Sequence, residues 1–483
     1  MSGEGGRRRR PSDHALRRSV WQAAFGRTVE SFPDATHCRP RPDRWSRHHD
    51  PSPLVPPRFR NVRHAASLVL VSLLLPAALR CQEPNVPSAT SDVFRRFADR
   101  VVKIQVMETG SSARATIGSG FLVNGEGHVV TNYHVVSNVI GTPDRYRAEV
   151  VDAGGTARPA TVLAIDVVHD LALLDAGLRG RTPFALRATS VAQGNRLFSL
   201  GHPRDLGLSI VEGTHNGLLT HTLYPRIHLT GSLNPGMSGG PTIDEQGRVV
   251  GVNVSTAGNQ VSFLVPADRV TALLARITTP GRRSEPPSLA QVGRQLREHQ
   301  NVYLRDLFDS STKRIALGPF QVMTQPAHFF RCWADAMHDN EQAYERTEHR
   351  CSTDNDIYVD EDQSSGEVTM SHQLVRTRLL NAPRFFALLS TLYRSDDAPS
   401  GDEDYVTSWK CESRNVRHDR TTMRASICMR RYRKLGELYD AVLKVAVLGR
   451  SNVGLLSTLS MTGVTLENVD RVSQRYLGQI EWR

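Results

Sequence analysis

Three short segments carry residues that together could activate a hydroxyl. Val130-Thr131-Asn132-Tyr133-His134-Val135-Val136 offers an imidazole, and Asp166-Val167-Val168-His169-Asp170-Leu171-Ala172-Leu173-Leu174 offers a carboxylate. Leu233-Asn234-Pro235-Gly236-Met237-Ser238-Gly239-Gly240-Pro241 offers a serine in a glycine-rich turn. A serine hydroxyl is a poor nucleophile until a base accepts its proton. His134 is the residue type for that task, and Asp170 is the type that fixes an imidazole tautomer and stabilises its protonated form. Each also has a plainer role open to it. His134 could be a satisfied histidine at a strand end, Asp170 a turn or capping carboxylate, and Ser238 an ordinary turn serine. Asp166 competes with Asp170 for the imidazole. His169 and His202 lie near these segments and are assigned no role.

Such groups need a rigid frame, and residues 92–277 read as short strands. Val101–Val106 is one, and Gly120–Val123 runs through the turn Asn124-Gly125-Glu126-Gly127 into His128–Asn132. Asn-Gly between β-rich runs signals a hairpin. Further strands are expected at Arg147–Asp152, Ala160–Asp166, Leu171–Leu174 and Arg196–Leu200. A second hairpin joins Thr242-Ile243 to Val249–Val254 through Asp244–Gly247. Many short strands with Gly-rich turns indicate an all-β barrel or sandwich. Val270, Leu273, Leu274 and Ile277 then recur at helical spacing.

The order His134, Asp170, Ser238, with these flanking residues, resembles the trypsin-like serine proteases. Within them residues 92–277 look most like the bacterial high-temperature-requirement (Deg-type) branch. The resemblance implies an all-β double β-barrel and peptide hydrolysis through an acyl-enzyme, without metal or cofactor. It favours Asp170 over Asp166, because Leu171-Ala172-Leu173-Leu174 matches the family there. It places the oxyanion on the N–H groups of Gly236 and Ser238, worth about 3–4 kcal/mol per donor. It puts Ser232 where trypsin carries a pocket aspartate, so a Lys/Arg pocket is not indicated. Ser262 and Phe263 fall on the strand that lines the pocket, where Phe263 would favour small or medium apolar side chains. The equal alternative is that Phe263 is barrel core. Met237 departs from the Asn or Asp of relatives. It cannot pair with a new N-terminus, and it leaves the oxyanion turn with less polar support. No PDZ-type module is recognisable.

After a linker at 278–288, residues 289–483 read as a separate α+β domain of unknown function. Leu289, Val292, Leu296 and Tyr303 predict a helix, as do Phe385–Tyr393 and the spacing of Leu435, Leu438, Val442 and Val445. Strands are expected around Ile315–Met323, His328–Trp333, Ala343–Cys351 and Ser365–Gln373. Cys332 and Cys351, like Cys411 and Cys428, fall in similar frames at similar spacing. Two related hairpins, each stapled by a disulfide, are the expectation, with chance spacing as the alternative.

The 483 residues carry a net charge of +11, which taken alone favours an anionic partner. Residues 1–64, however, hold fourteen Arg, no Lys and six acidic residues, so eight of those charges belong to this extension. The remainder is close to neutral, and no nucleic-acid partner is expected. Residues 1–64 read as a disordered basic extension, with Val55 or Val62 as alternative starts. The apolar run within 65–80, preceded by Arg60 and Arg63, has the layout of a signal peptide. Cys81 follows as a possible lipidation site, though Arg80 precedes it. Membrane attachment is expected only through an uncleaved signal or a lipidated Cys81. These features, with four late cysteines, point to the periplasm, envelope or exterior. The leading reading is an exported serine endopeptidase acting on polypeptides. The rival is a catalytically silent scaffold that acts through residues 289–483.

Overall fold

The computed structural model describes residues 88–483, apart from 112, 220, 279–286, 310–312, 338–342, 354–355, 362, 395–400, 419–420 and 448–450. The expected basic extension 1–64, the expected signal segment 65–80, Cys81 and most of the expected linker 278–288 therefore lie outside the described residues.

Helix α1 (Ala89–Phe97) leads into six strands: β1 (Val101–Glu108), β2 (Arg114–Leu122), β3 (His128–Thr131), β4 (Tyr146–Val151), β5 (Ala157–Asp166) and β6 (Leu171–Asp175). They close an antiparallel barrel in the order β1-β2-β3-β6-β5-β4. Helix α2 (Tyr133–Gly141) follows β3. The β1 pattern shows why a barrel forms. Val102, Ile104 and Val106 enter one buried cluster, while Val101 enters another shared with Phe198, Leu200 and Val252 of the following strands. Side chains alternate across a strand, so both faces of β1 are covered.

Strands β7 (Ala185–Leu186), β8 (Arg196–Gly201), β9 (Ser209–Leu219), β10 (Arg226–Thr230), β11 (Pro241–Ile243), β12 (Arg248–Thr256) and β13 (Ser262–Pro266) form the second sheet. Its order is β11-β8-β9-β10-β13-β12, closed by pairing of β11 with β12; β7 adds to β12 in parallel. The two expected hairpins are present. Phe121 pairs with Val130 across one, and Asp244 Oδ1 accepts from Gln246 and Arg248 N–H in the other. The expected double β-barrel is thus observed. Helix α3 (Ala267–Thr278) closes this part.

The C-terminal region begins with α4 (Leu289–Asp309), then β14 (Lys313–Leu317), β15 (Phe320–Thr324), β16 (Arg331–Met337), β17 (Glu345–Ser352), β18 (Ile357–Asp360), β19 (Gln363–Ser365) and β20 (Val368–Arg376). It continues through α5 (Ala382–Arg394), β21 (Lys410–His418), β22 (Thr421–Arg431), β23 (Tyr439–Val447), β24 (Val453–Val464), α6 (Leu466–Leu477) and β25 (Glu481–Trp482). Seven strands form one antiparallel sheet, β16-β17-β20-β24-β23-β22-β21. Leu455 and Leu459 of β24 pack with Val469, Val472 and Tyr476 of α6, whereas Leu456 packs with Phe385 and Leu389 of α5. Adjacent residues of a strand face opposite ways, so the helices cover opposite faces.

One expectation is corrected. The run Leu435 to Val445 is not a helix: Tyr439–Val447 is strand β23, buried along both faces. A strand covered on both sides carries near-continuous apolar residues, which also satisfy a helical template. The α+β C-terminal region follows the barrels as expected and packs on the first of them. Val292, Leu296, Ile357, Val359, Tyr432 and Leu438 share a buried cluster with Ile104 and Val129 of the first barrel and Val136 of α2.

Cys332 bonds Cys351 across β16–β17, and Cys411 bonds Cys428 across β21–β22. Each pair occupies directly opposed register positions. The stapled hairpins are the two edges of the seven-stranded sheet. Closing a loop of 17 residues removes unfolded-state freedom, worth about 3 kcal/mol. Replacing both Cys411 and Cys428 by Ser should lower the unfolding free energy by about that amount in urea titration. An unchanged midpoint would contradict it.

Candidate active site

Strand β3 ends at Thr131, and α2 starts two residues later, which sets His134 in the first helical turn. Asp170 lies in the turn between β5 and β6 with φ 55°, a left-handed conformation that a short polar side chain tolerates. Its carboxylate meets His134 twice. Oδ1 accepts the His134 backbone N–H at 2.8 Å, and Oδ2 accepts from Nδ1 at 2.6 Å. The two alternatives for Asp170 therefore coincide: it caps the helix and holds the imidazole. Asn132 would ordinarily cap this helix, but its amide donates to the Asp170 carbonyl at 2.7 Å.

The carboxylate can only accept, so His134 Nδ1 carries a proton and Nε2 keeps a lone pair. Burial disfavours the charged imidazolium, but the Asp170 charge and hydrogen bond outweigh it and raise the His134 pKa above 6.5. A base must be neutral to accept a proton. Fluorophosphonate labelling should thus rise with pH through a midpoint above 6.5. A midpoint below that value would contradict the pairing.

Asp166 is committed elsewhere. It accepts from His169 Nδ1 at 3.1 Å and from Arg276 Nη2 at 2.9 Å. Burial raises its pKa, and the His169 hydrogen bond and the nearby His169 and Arg276 charges more than reverse this. The structure places Asp170, not Asp166, on His134.

Ser238 sits half-buried in the turn between β10 and β11. Gly236 has φ 95°, and a Cβ there would lie 2.4 Å from the His202 carbonyl oxygen. At Gly239, φ is 84° and a Cβ would meet the Ser119 carbonyl oxygen at 2.3 Å. The motif glycines are thus required by conformation and close approach. Among the described residues, the N–H groups of Gly236 and Ser238 have no hydrogen-bond partner. The Pro235 carbonyl accepts from Arg204 N–H at 2.8 Å. Carbonyl and N–H point oppositely across a planar trans peptide, which fixes the direction of the Gly236 N–H.

Residues that the sequence reading missed hold this turn. Ser119 of β2 donates its N–H to the Ser238 carbonyl at 2.8 Å and its hydroxyl to the Gly236 carbonyl at 2.7 Å. Thr131 donates to the Ser119 carbonyl at 2.7 Å, so one strand links the serine turn to the base of the His134 helix. Asn253 Nδ2 donates to the Met237 and Leu200 carbonyls at 3.2 and 3.1 Å, while its Oδ1 accepts from Thr242 at 2.6 Å. Met237 itself is fully buried among Leu197, Leu229, Leu233 and Leu264. The polar support expected to be missing at Met237 comes from Ser119 and Asn253.

The pocket residues divide. Ser232 is exposed. Ser262 is fully buried, donating to the Gly231 carbonyl at 2.6 Å and accepting from Leu233 N–H at 3.3 Å. It braces two segments and turns inward, contrary to a substrate-facing role. Phe263 is half-buried beside His228 and packs on the inter-barrel cluster. The His134 hydrogen bonds run to Asp170 and Ser137, and none among the described residues reaches Ser238. Such bonds are often long before substrate arrives. The potential ligand group Cys332, His349 and Cys351 has both sulfurs in a disulfide, leaving no thiolate for a metal.

Residues 118–252 match the model of the trypsin-like peptidase domain. The chain carries a trypsin-like peptidase domain. This domain is similar to mitochondrial serine protease HTRA2 of Bos taurus, 31% identical over 200 residues, covering 38% of this chain and 42% of that protein. It is also similar to chloroplastic Protease Do-like 1 of Arabidopsis thaliana, 27% identical, covering 44% of this chain and 49% of that protein. Among solved structures, Deg5 matches at 29% identity with a TM-score of 0.35, covering 40% of this chain and 95% of that one. The chain spans less than half the length of these two curated relatives.

Proposed function

We propose that the chain is an exported serine endopeptidase that hydrolyses polypeptides through an acyl-enzyme. The double acceptance of His134 by Asp170 carries this reading. It leaves Nε2 as the base for Ser238 Oγ. Ser238 attacks the peptide carbonyl, and the unpartnered N–H groups of Gly236 and Ser238 receive the oxyanion. Protonated His134 then donates to the leaving amine, and water reverses the sequence to release the acyl group. Export is supported by the two disulfides, which persist in oxidising compartments.

The test is a fluorophosphonate probe applied to the folded chain, followed by peptide mapping. The expected result is one probe per chain, on Ser238. A folded chain that takes no probe would favour the silent scaffold, a reading motivated by the open Ser238–His134 contact.

A further inference from the structure

A segment outside both barrels reaches the catalytic histidine. Tyr358 lies on β18, and its ring stands 5.7 Å from the His134 ring, edge to face at 65°. Its hydroxyl is 3.4 Å from Ser137 Oγ, one helical turn beyond His134. Both barrels fix the segment. Tyr133 donates its hydroxyl to the Val359 carbonyl at 3.0 Å, and Tyr224 donates to the Asp356 carbonyl at 2.9 Å. The neighbours Ile357 and Val359 are 2% and 3% exposed, within the cluster shared with the first barrel. Tyr358 packs at the edge of the same cluster, and alternation along the strand sets it on the other side from these two. Tyr358 is half-buried and the His134 side chain is 26% exposed, so both rings present surface to an incoming chain.

We propose that Tyr358 is a specificity-determining residue: with the His134 ring it walls a narrow apolar subsite for a substrate side chain flanking the scissile bond. The wall's backbone is anchored on either side by buried aliphatic residues, and its ring lies against His134 with its hydroxyl beside Ser137. The subsite therefore accepts small aliphatic side chains and rejects large or charged ones, which would clash or lose hydration without a partner. The residues added after the barrels are thus part of the substrate cleft.

This proposal rests on the endopeptidase reading. The test uses the full chain and internally quenched peptides varied at each position beside the scissile bond. Tyr358→Phe, Tyr358→Leu and Tyr358→Ala are compared with the unaltered protein, each checked for folding by circular dichroism. At one flanking position, Leu and Ala should lower the kcat/KM ratio of small aliphatic to large or charged side chains by about tenfold or more. Phe, which keeps the ring, should retain the preference. Should Ala fail to fold, Leu keeps the test decisive because it retains apolar bulk. Superimposable profiles for a cleaving parent and its folded Leu variant would overturn the proposal alone. A parent that neither cleaves nor takes fluorophosphonate would overturn the endopeptidase reading and this proposal with it.

Discussion

Ser238→Ala will lower kcat by on the order of 10⁶-fold on a peptide substrate, with the fold unchanged. The size follows from the mechanism. Without Oγ no acyl-enzyme forms, and His134 has no hydroxyl to deprotonate. The substituted residue keeps its backbone N–H, so the pair formed with Gly236 remains. Its carbonyl still accepts from Ser119. The loss should therefore fall on kcat, with KM little changed. Combining Ser238→Ala with Asp170→Asn should cost about as much as Ser238→Ala alone, because residues that act as a unit are not additive. Additive losses would contradict a shared mechanism.

Asp170→Asn will lower kcat by roughly 10⁴-fold while leaving the protein folded. The carboxylate accepts two N–H groups of His134, one from the backbone and one from the ring. Asparagine offers one acceptor and one donor. The backbone N–H cannot give up its hydrogen, so the amide oxygen must turn to it. The amide NH₂ then faces Nδ1 and forces it to accept. The ring proton moves to Nε2, which can no longer take the Ser238 proton. Electrostatic stabilisation of imidazolium is lost as well. Steady-state kinetics together with the pH profile checks this. A loss below tenfold would remove Asp170 from the catalytic unit.

Legibility differed between residues for physical reasons. His134, Asp170 and Ser238 stand in contiguous motifs whose composition reflects local demands. Gly236 and Gly239, for instance, are imposed by positive φ and close backbone approach. The cysteine pairs were legible because a cross-strand disulfide needs opposed positions in one hairpin, which produces a short spacing. Ser119 and Asn253 were not legible. Their partners, Gly236 and Thr242, are 117 and 11 residues distant, and a small polar residue in a strand announces no such partner. Tyr358 is a similar case, since only docking of β18 on the first barrel brings it to His134. Strand β23 resembles a helix in sequence because burial on both faces erases the alternation that distinguishes strand from helix. The charge excess lies mostly in residues 1–64, so the binding surface of the barrels is not described by the whole-chain value.

The proposed mechanism requires a covalent intermediate on one residue during turnover. Acid quenching of the chain while it hydrolyses an activated ester, followed by intact-mass and peptide mass spectrometry, tests it most directly. The predicted result is a single acyl group on Ser238 that accumulates in the first turnover and disappears as substrate is exhausted. Continued turnover with no acyl group on Ser238, or with one on another residue, would contradict it.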